Sequence, residues 1–224
     1  MYSVKAVEYL IAVSFLLLFI PFWRFVNAEL VPRPALVAEV PRWVGQVVDW
    51  FRVPVDVYFH PGHAWARLED GGLVTVGMDD FAQKLVGSAV ALTLPEVGSR
   101  VGQGETAWSF ASDSKSVEML SPVDGTVMAV NDRGLASPGT GTPDPYAEGW
   151  LLKVRAPRLT ANVRNLLSGT LARRWMDDVS ESLRARITPD LGYVYQDGGL
   201  PVEGMARSLD PDNWDEVART FFLT

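Results

Sequence analysis

The chain has 224 residues, 48% of them apolar and 21% charged, and a net charge of −7. This is enough apolar material for one ordinary domain with smaller elements attached, and it excludes disorder over most of the length. The absence of cysteine removes disulfides, thiolate nucleophiles and cysteine-held metal sites, and the acidic balance leaves no basic face for nucleic acid.

Residues 9–23, between Glu8 and Arg24, carry no charge. A bilayer core of about 30 Å takes about 20 helical residues, or about 17 at the short end. Ala6, Val7, Phe25 and Val26 extend the run when Glu8 and Arg24 reach toward the headgroups, and Tyr9, Phe22 and Trp23 supply interfacial aromatics. The sequence therefore predicts a single-pass transmembrane helix within residues 1–28, with Pro21 near its end, where a lost backbone bond matters least. Val26-Asn27-Ala28 offers the alternative of a secretory leader with a small-residue cleavage site; the lone Lys5 ahead of the run and Arg24 before the site favour the anchor. Arg24, Arg33 and Arg42 outweigh Lys5, which predicts an inner-membrane protein whose C-terminal part faces the cytoplasm, with the bilayer and the other subunits of a membrane complex as partners.

Residues 29–53 read as a linker. It holds a stiff connector around Pro32 and Pro34, then an amphipathic helix over 42–52 with Trp43, Val47, Trp50 and Phe51 on one face. Such a stripe suits a membrane surface or the following domain equally.

From there the texture changes to short β-branched runs at 73–77, 89–94, 125–130 and 150–154, broken by glycine and proline, which predicts a compact all-β domain over 54–156. His63-Ala64-Trp65, the stretch Val76-Gly77-Met78-Asp79-Asp80-Phe81, Leu94-Pro95-Glu96-Val97-Gly98, Ser121-Pro122-Val123-Asp124-Gly125 and Asp144-Pro145-Tyr146 follow one another along this domain. In that order and at those gaps they resemble the H protein of the glycine cleavage system.

The resemblance implies a mainly β fold, a flattened β-sandwich of the lipoyl type, also called a barrel-sandwich hybrid. It also implies a carrier that holds lipoate on a hairpin lysine and visits enzymes without being one. Onto this sequence it places the attachment site at Lys115, the one lysine of the stretch 110–125. Lys115 stands ten residues before Gly125, one fewer than in the family, so that Ser114 takes the carrier position without a gap. The family's glutamate three residues earlier is replaced by Ser112, and its following alanine by Ser116. A one-residue shift turns a hairpin side chain to the other face. The expected state of Lys115 is therefore unmodified, a solvated lysine in a polar turn, with lipoate as the cofactor only if the site works.

Other residues have plain structural readings. His60 and His63, with Asp56, Glu69 or Asp70, fall short of a convincing tetrahedral metal set. His63 and Trp65 are expected to pack, and Asp79 with Asp80 to cap a helix start. The loop around Gly139 and Gly141 lacks the lysine and following helix of a phosphate loop.

Residues 157–224 form a helical extension. Leu171, Trp175, Val179, Leu183 and Ile187 recur at helical spacing over 170–187 until Pro189, and 192–201 reads as a turn-rich loop. A last helix is expected to start at Asp210-Pro211, and its Trp214, Val217, Phe221 and Phe222 must cover either the β domain or a partner.

The chain is expected to be a non-enzymatic, membrane-anchored accessory or scaffold subunit of a larger assembly, with no catalytic residue and no metal. The alternative is a tethered lipoyl carrier using Lys115 to shuttle electrons or one-carbon intermediates for a membrane-associated oxidoreductase or the glycine cleavage system.

Overall fold

A computed structural model describes residue 19 and residues 46–48, 50–87, 91–112, 115–131, 143–187, 195–196, 200–201 and 203–224. The chain divides into two units, residues 1–38 and 39–224. Of the first unit only Phe19 is described, as an exposed helical residue. The expected anchor thus lies otherwise outside the described residues, among which no helix is long and apolar enough to cross a membrane.

The second unit begins with a hairpin. Strand β1 (Gln46–Val48) pairs antiparallel with β2 (Phe51–Val53), Val48 opposite Phe51. Where residues 42–52 are described, at 46–48 and 50–52, this corrects the helix expected there; residues 42–45 and 49 lie outside the described residues. The β-branched and aromatic residues here alternate, with Phe51 and Val53 buried and Arg52 between them half-exposed, so a two-residue period prevails over the helical stripe. Phe51 meets the Phe81 ring edge-on at 5.0 Å, and the Arg52 N–H donates to Asp80 Oδ2 at 2.9 Å.

Two sheets follow. The larger contains β3 (Tyr58–Phe59), β4 (Ala64–Leu68), β5 (Leu73–Met78), β7 (Arg100–Val101), β10 (Gly125–Val130) and β11 (Trp150–Arg155), in the order β3-β4-β5-β11-β10-β7. The smaller contains β6 (Ala91–Thr93), β8 (Thr106–Ser112) and β9 (Lys115–Leu120), in the order β6-β8-β9. All pairings are antiparallel, and the buried side chains of both sheets belong to one core, giving the expected mainly β, sandwich-like domain. Strand β5 lies between β4 and β11 and buries Val74, Val76 and Met78, the near-continuous apolar run of a central strand.

Trp65 and Gly77 explain two of the recurring motifs together. They are register partners, and a Cβ on Gly77 would come within 2.8 Å of the indole ring. Glycine there lets the buried indole lie flat on the strand. Its Nε1 donates to the carbonyls of Met78 at 2.9 Å and Pro145 at 3.1 Å, joining β5 to the Asp144-Pro145-Tyr146 turn.

Helix α1 (Asp80–Val86) starts as its sequence predicts, with the Asp79 side chain accepting from the Ala82 N–H at 2.8 Å. The extension adds α2 (Leu159–Val163), α3 (Gly169–Arg184), the short strands β12 (Tyr195–Gln196) and β13 (Leu200–Pro201), α4 (Met205–Leu209) and α5 (Trp214–Phe222). β12 and β13 pair with each other inside the stretch expected to be loop.

Two details depart from the sequence reading. The buried line of α3 is Ala172, Met176, Ser180 and Leu183, with Trp175 packed beside it, while Leu171 is exposed; two small residues let the helix sit close, so the face turns away from Leu171. Helix α5 starts at Trp214 rather than Asp210. The Asp210 carboxylate instead accepts the backbone N–H groups of Asp212 and Asn213, closing a turn before the helix.

Candidate functional site

The hairpin of β8 and β9 carries the one lysine to which the resemblance assigns chemistry. Its register sets Ser112 opposite Lys115, Phe110 opposite Val117 and Trp108 opposite Met119. Lys115 is the first residue of β9, separated from the end of β8 by two residues; the carrier position of an ungapped reading, Ser114, lies outside the described residues. Along β9, Val117 and Met119 are buried while Ser116 and Glu118 are exposed. By the two-residue period Lys115 shares the face of Val117 and Met119. That face is covered.

The cover is α5. Lys115 Nζ donates to Asp215 Oδ1 at 2.7 Å and to the main-chain carbonyl of Asp212. Its side chain keeps 33% exposure and that of Asp215 only 13%. The Lys115 hydrogen bond, more than any other contact, holds the Asp215 carboxyl below its ordinary value, with Arg219 at 3.6 Å adding to it. Arg219 Nη2 also donates to the Ser116 carbonyl at 2.8 Å, and Thr224 Oγ1 to the Glu118 carbonyl at 3.2 Å. Since β9 is the edge strand of its sheet, these side chains occupy carbonyls that no neighbouring strand takes up. The lysine expected to be solvated in a polar turn is thus ion-paired to a helix of its own chain.

The opposite flank of α5 is apolar. Trp214, Ala218, Phe221 and Phe222 are buried, and Phe221 lies 5.0 Å from the Phe81 ring. Phe222 approaches His63 edge-on at 6.1 Å, and a Cβ on Gly62 would come within 2.8 Å of the Phe222 carbonyl. Between covering the β domain and docking on a partner, these aromatics do the former.

His63 therefore lies in the packed interior, as expected. It stacks on Phe81 at 4.2 Å with Trp175 of α3 at 4.7 Å, and its Nδ1 lies 2.7 Å from Asp79 Oδ2. Its backbone φ of 64° lies in the left-handed region, held by the His63 N–H to His60 carbonyl bond at 2.9 Å and by the Asp79 N–H donating to the His63 carbonyl at 2.9 Å. Burial, then the nearby His63, lowers the His60 pKa, and His60 Nδ1 accepts from the Gly62 N–H at 3.0 Å. The His60 Nδ1 lone pair is thus engaged by its own turn and not free for a metal. Among the described residues, no group of three or more His, Asp or Glu is arranged to hold a metal.

A polar cleft beside α1 is lined by Arg52, Asp80, Lys84, Asp144 and Glu203. Its cations are taken: Arg52 by Asp144 at 2.8 Å and Lys84 by Asp80 at 2.9 Å. Tyr146 closes the buried side, its hydroxyl donating to the Arg52 carbonyl at 2.7 Å and accepting from the Asp80 N–H at 3.2 Å. Burial, followed by the charges of Asp79 and Asp80, pushes this phenol well above its ordinary value. The cluster fastens β2 to the domain.

Sequence reasoning did not reach Asp212 and Asp215 as partners of Lys115. The only local signal was an acidic first turn in an aromatic helix, and nothing in it points to a residue a hundred positions earlier.

Two antiparallel sheets around one core, with a hairpin that brings a lysine next to a two-residue connection, define a lipoyl-type β domain. The chain belongs to the glycine cleavage H-protein family, whose model matches residues 57–179. The glycine cleavage system H protein of Neisseria meningitidis serogroup C is 36% identical over 116 residues, covering 52% of this chain and 90% of that protein. The corresponding protein of Teredinibacter turnerae is 44% identical over 93 residues, covering 42% and 72%. A crystal structure of a glycine cleavage system H protein from Mycobacterium marinum superposes with a TM-score of 0.47 at 28% identity, covering 57% of this chain and 99% of that one. Lys115 falls inside the family match and Asp215 beyond it.

Proposed function

We propose that this chain is a membrane-tethered accessory subunit built on an H-protein domain, with a carrier hairpin closed by its own C-terminal extension. The observation that supports this most is the Lys115–Asp215 ion pair at 2.7 Å, backed by the Asp212 carbonyl on the same amine. An attached lipoyl arm would need that nitrogen as a neutral amide at the apex, free to swing between partners. As they stand, Asp212 and Asp215 fit an ammonium and not an acylated lysine, so no carrier step is derived for this chain.

The tether rests on the uncharged run 9–23 and its aromatic flanks. With more positive charge following the run than preceding it, the β domain faces the cytoplasm from the inner membrane. Partners are then other membrane-associated subunits, reached by surfaces other than the closed hairpin. Extraction of the full chain should require detergent, deletion of residues 1–28 should render it salt-soluble, and the intact mass of protein purified from its own membranes should be the unmodified one. A chain that is soluble without detergent would remove the tether.

One observation favours a second reading: Lys115 lies in the β8–β9 hairpin within the family match. In that reading the chain is a tethered lipoyl carrier serving a membrane-associated oxidoreductase or the glycine cleavage system. A lipoyl adduct on Lys115 would establish it.

A further inference from the structure

Helix α5 holds the hairpin through side chains alone. Asp215, Arg219 and Thr224 reach Lys115, Ser116 and Glu118, while Trp214, Ala218, Phe221 and Phe222 bury the other flank. Among the described residues, no strand ladder joins α5 to either sheet. It can lift without breaking a strand pairing, which is the condition for a local opening that costs less than unfolding the domain. The polar side of the contact is assembled around one atom, the Lys115 nitrogen. Asp215 is largely covered, Arg219 braces it, and the Asp212 carbonyl accepts a second hydrogen bond from the same amine.

We propose that α5 is a latch that withholds the Lys115 amine from acylation, so that this lysine reacts only when the helix is released. The proposal rests on the closed-hairpin reading above and adds that the closure is reversible and chemical in effect. Acylation uses the lone pair of the neutral amine to form one C–N bond to an activated acyl donor, such as an anhydride or acyl adenylate. The donor's leaving group departs with its bonding pair and the amine proton passes to solvent. In the closed state the amine is hydrogen-bonded to Asp215 and to the Asp212 carbonyl, which cover part of the approach to its nitrogen.

Lys153 provides an internal standard. Its side chain is 32% exposed, nearly the same as that of Lys115, and it too is ion-paired, to Glu69 at 3.0 Å, but on β11 and to a partner outside α5. The experiment treats the full chain in detergent with limiting acetic anhydride and reads the labelling of Lys115 relative to Lys153 by peptide mass spectrometry. Removal of residues 210–224 should raise that ratio about tenfold, as expected for losing a local closure. Asp215→Ala should raise it several-fold, and Asp215→Glu should leave it near that of the native chain. Should the truncated chain unfold, as a changed absolute rate at Lys153 would show, Asp215→Ala decides. An unchanged ratio in Asp215→Ala overturns the latch. Lipoate found on the native protein would instead overturn the closed-hairpin reading, so the two failures are distinguishable.

Discussion

The β domain and the C-terminal extension are held in different ways. The domain is held by antiparallel ladders and by residues such as Trp65, whose indole touches two segments, β5 through Gly77 and Met78 and the Asp144-Pro145-Tyr146 turn through Pro145. Earlier in the extension Leu167 exchanges two main-chain hydrogen bonds with Phe59 at 2.8 Å, but its last segment, around α5, is held at a few aromatic anchors and by side chains reaching the carbonyls of an edge strand. The first kind of order is cooperative, since each strand needs its neighbours. The second is modular, and losing it exposes one face of β9 and the His63 interior without removing a strand. An added helix can therefore cover an edge strand of the β domain while its aromatic flank joins the core.

This contrast can be broken by mutation. Trp65→Ala should cost about 3–5 kcal/mol and lower the stability of the whole domain in one transition, measured by urea unfolding. Phe222→Ala should cost about 3 kcal/mol or somewhat more, but the loss should be local. Hydrogen exchange should speed up in α5 and at the β9 edge while β5 and β11 keep their protection. Equal loss of protection throughout would make the extension part of the cooperative core.

Much of the β domain is legible in the sequence because its signals are local. The apolar runs of β5, β10 and β11 and the Asp79 cap lie within a few residues of what they determine, and His63-Ala64-Trp65 packs where its motif places it. Residues 42–52 misled because Trp43, Val47 and Trp50 satisfy a helical period as well as a strand, and only burial of Phe51 against Phe81 decides. In α3 the small residues Ala172 and Ser180 carry the contact face, and a stripe of large side chains overlooks them. The partner of Lys115 was not legible at all. The ion pair depends on where α5 is set down by Trp214, Phe221 and Phe222, and that is tertiary information.

Smaller effects sharpen the same comparison. Lys115→Ala should cost about 0.5–1 kcal/mol, the range for a partly solvated ion pair. Lys115→Arg should recover most of it in thermal melting. A freely solvated lysine would give no loss. For pH, the folded state holds His60 below its ordinary value of 6.5, so the unfolded chain binds the proton more readily. The contribution is complete above about pH 6.5 and is lost as the pH falls through the folded value. The melting temperature should therefore drop on acidification from pH 7.5 to pH 5.5, and His60→Gln should flatten that slope.

The most direct test of the closed hairpin is a zero-length crosslink. A carbodiimide joins an amine to a carboxyl only when the two already touch, so treatment of the full chain in detergent should yield an intramolecular Lys115–Asp215 amide in the monomer. Lys153–Glu69 and Lys84–Asp80, at 3.0 and 2.9 Å, serve as positive controls. Recovery of the Lys115–Asp215 peptide alongside the two controls is the predicted result. Recovery of both controls without it would contradict the closure of the hairpin by its own chain.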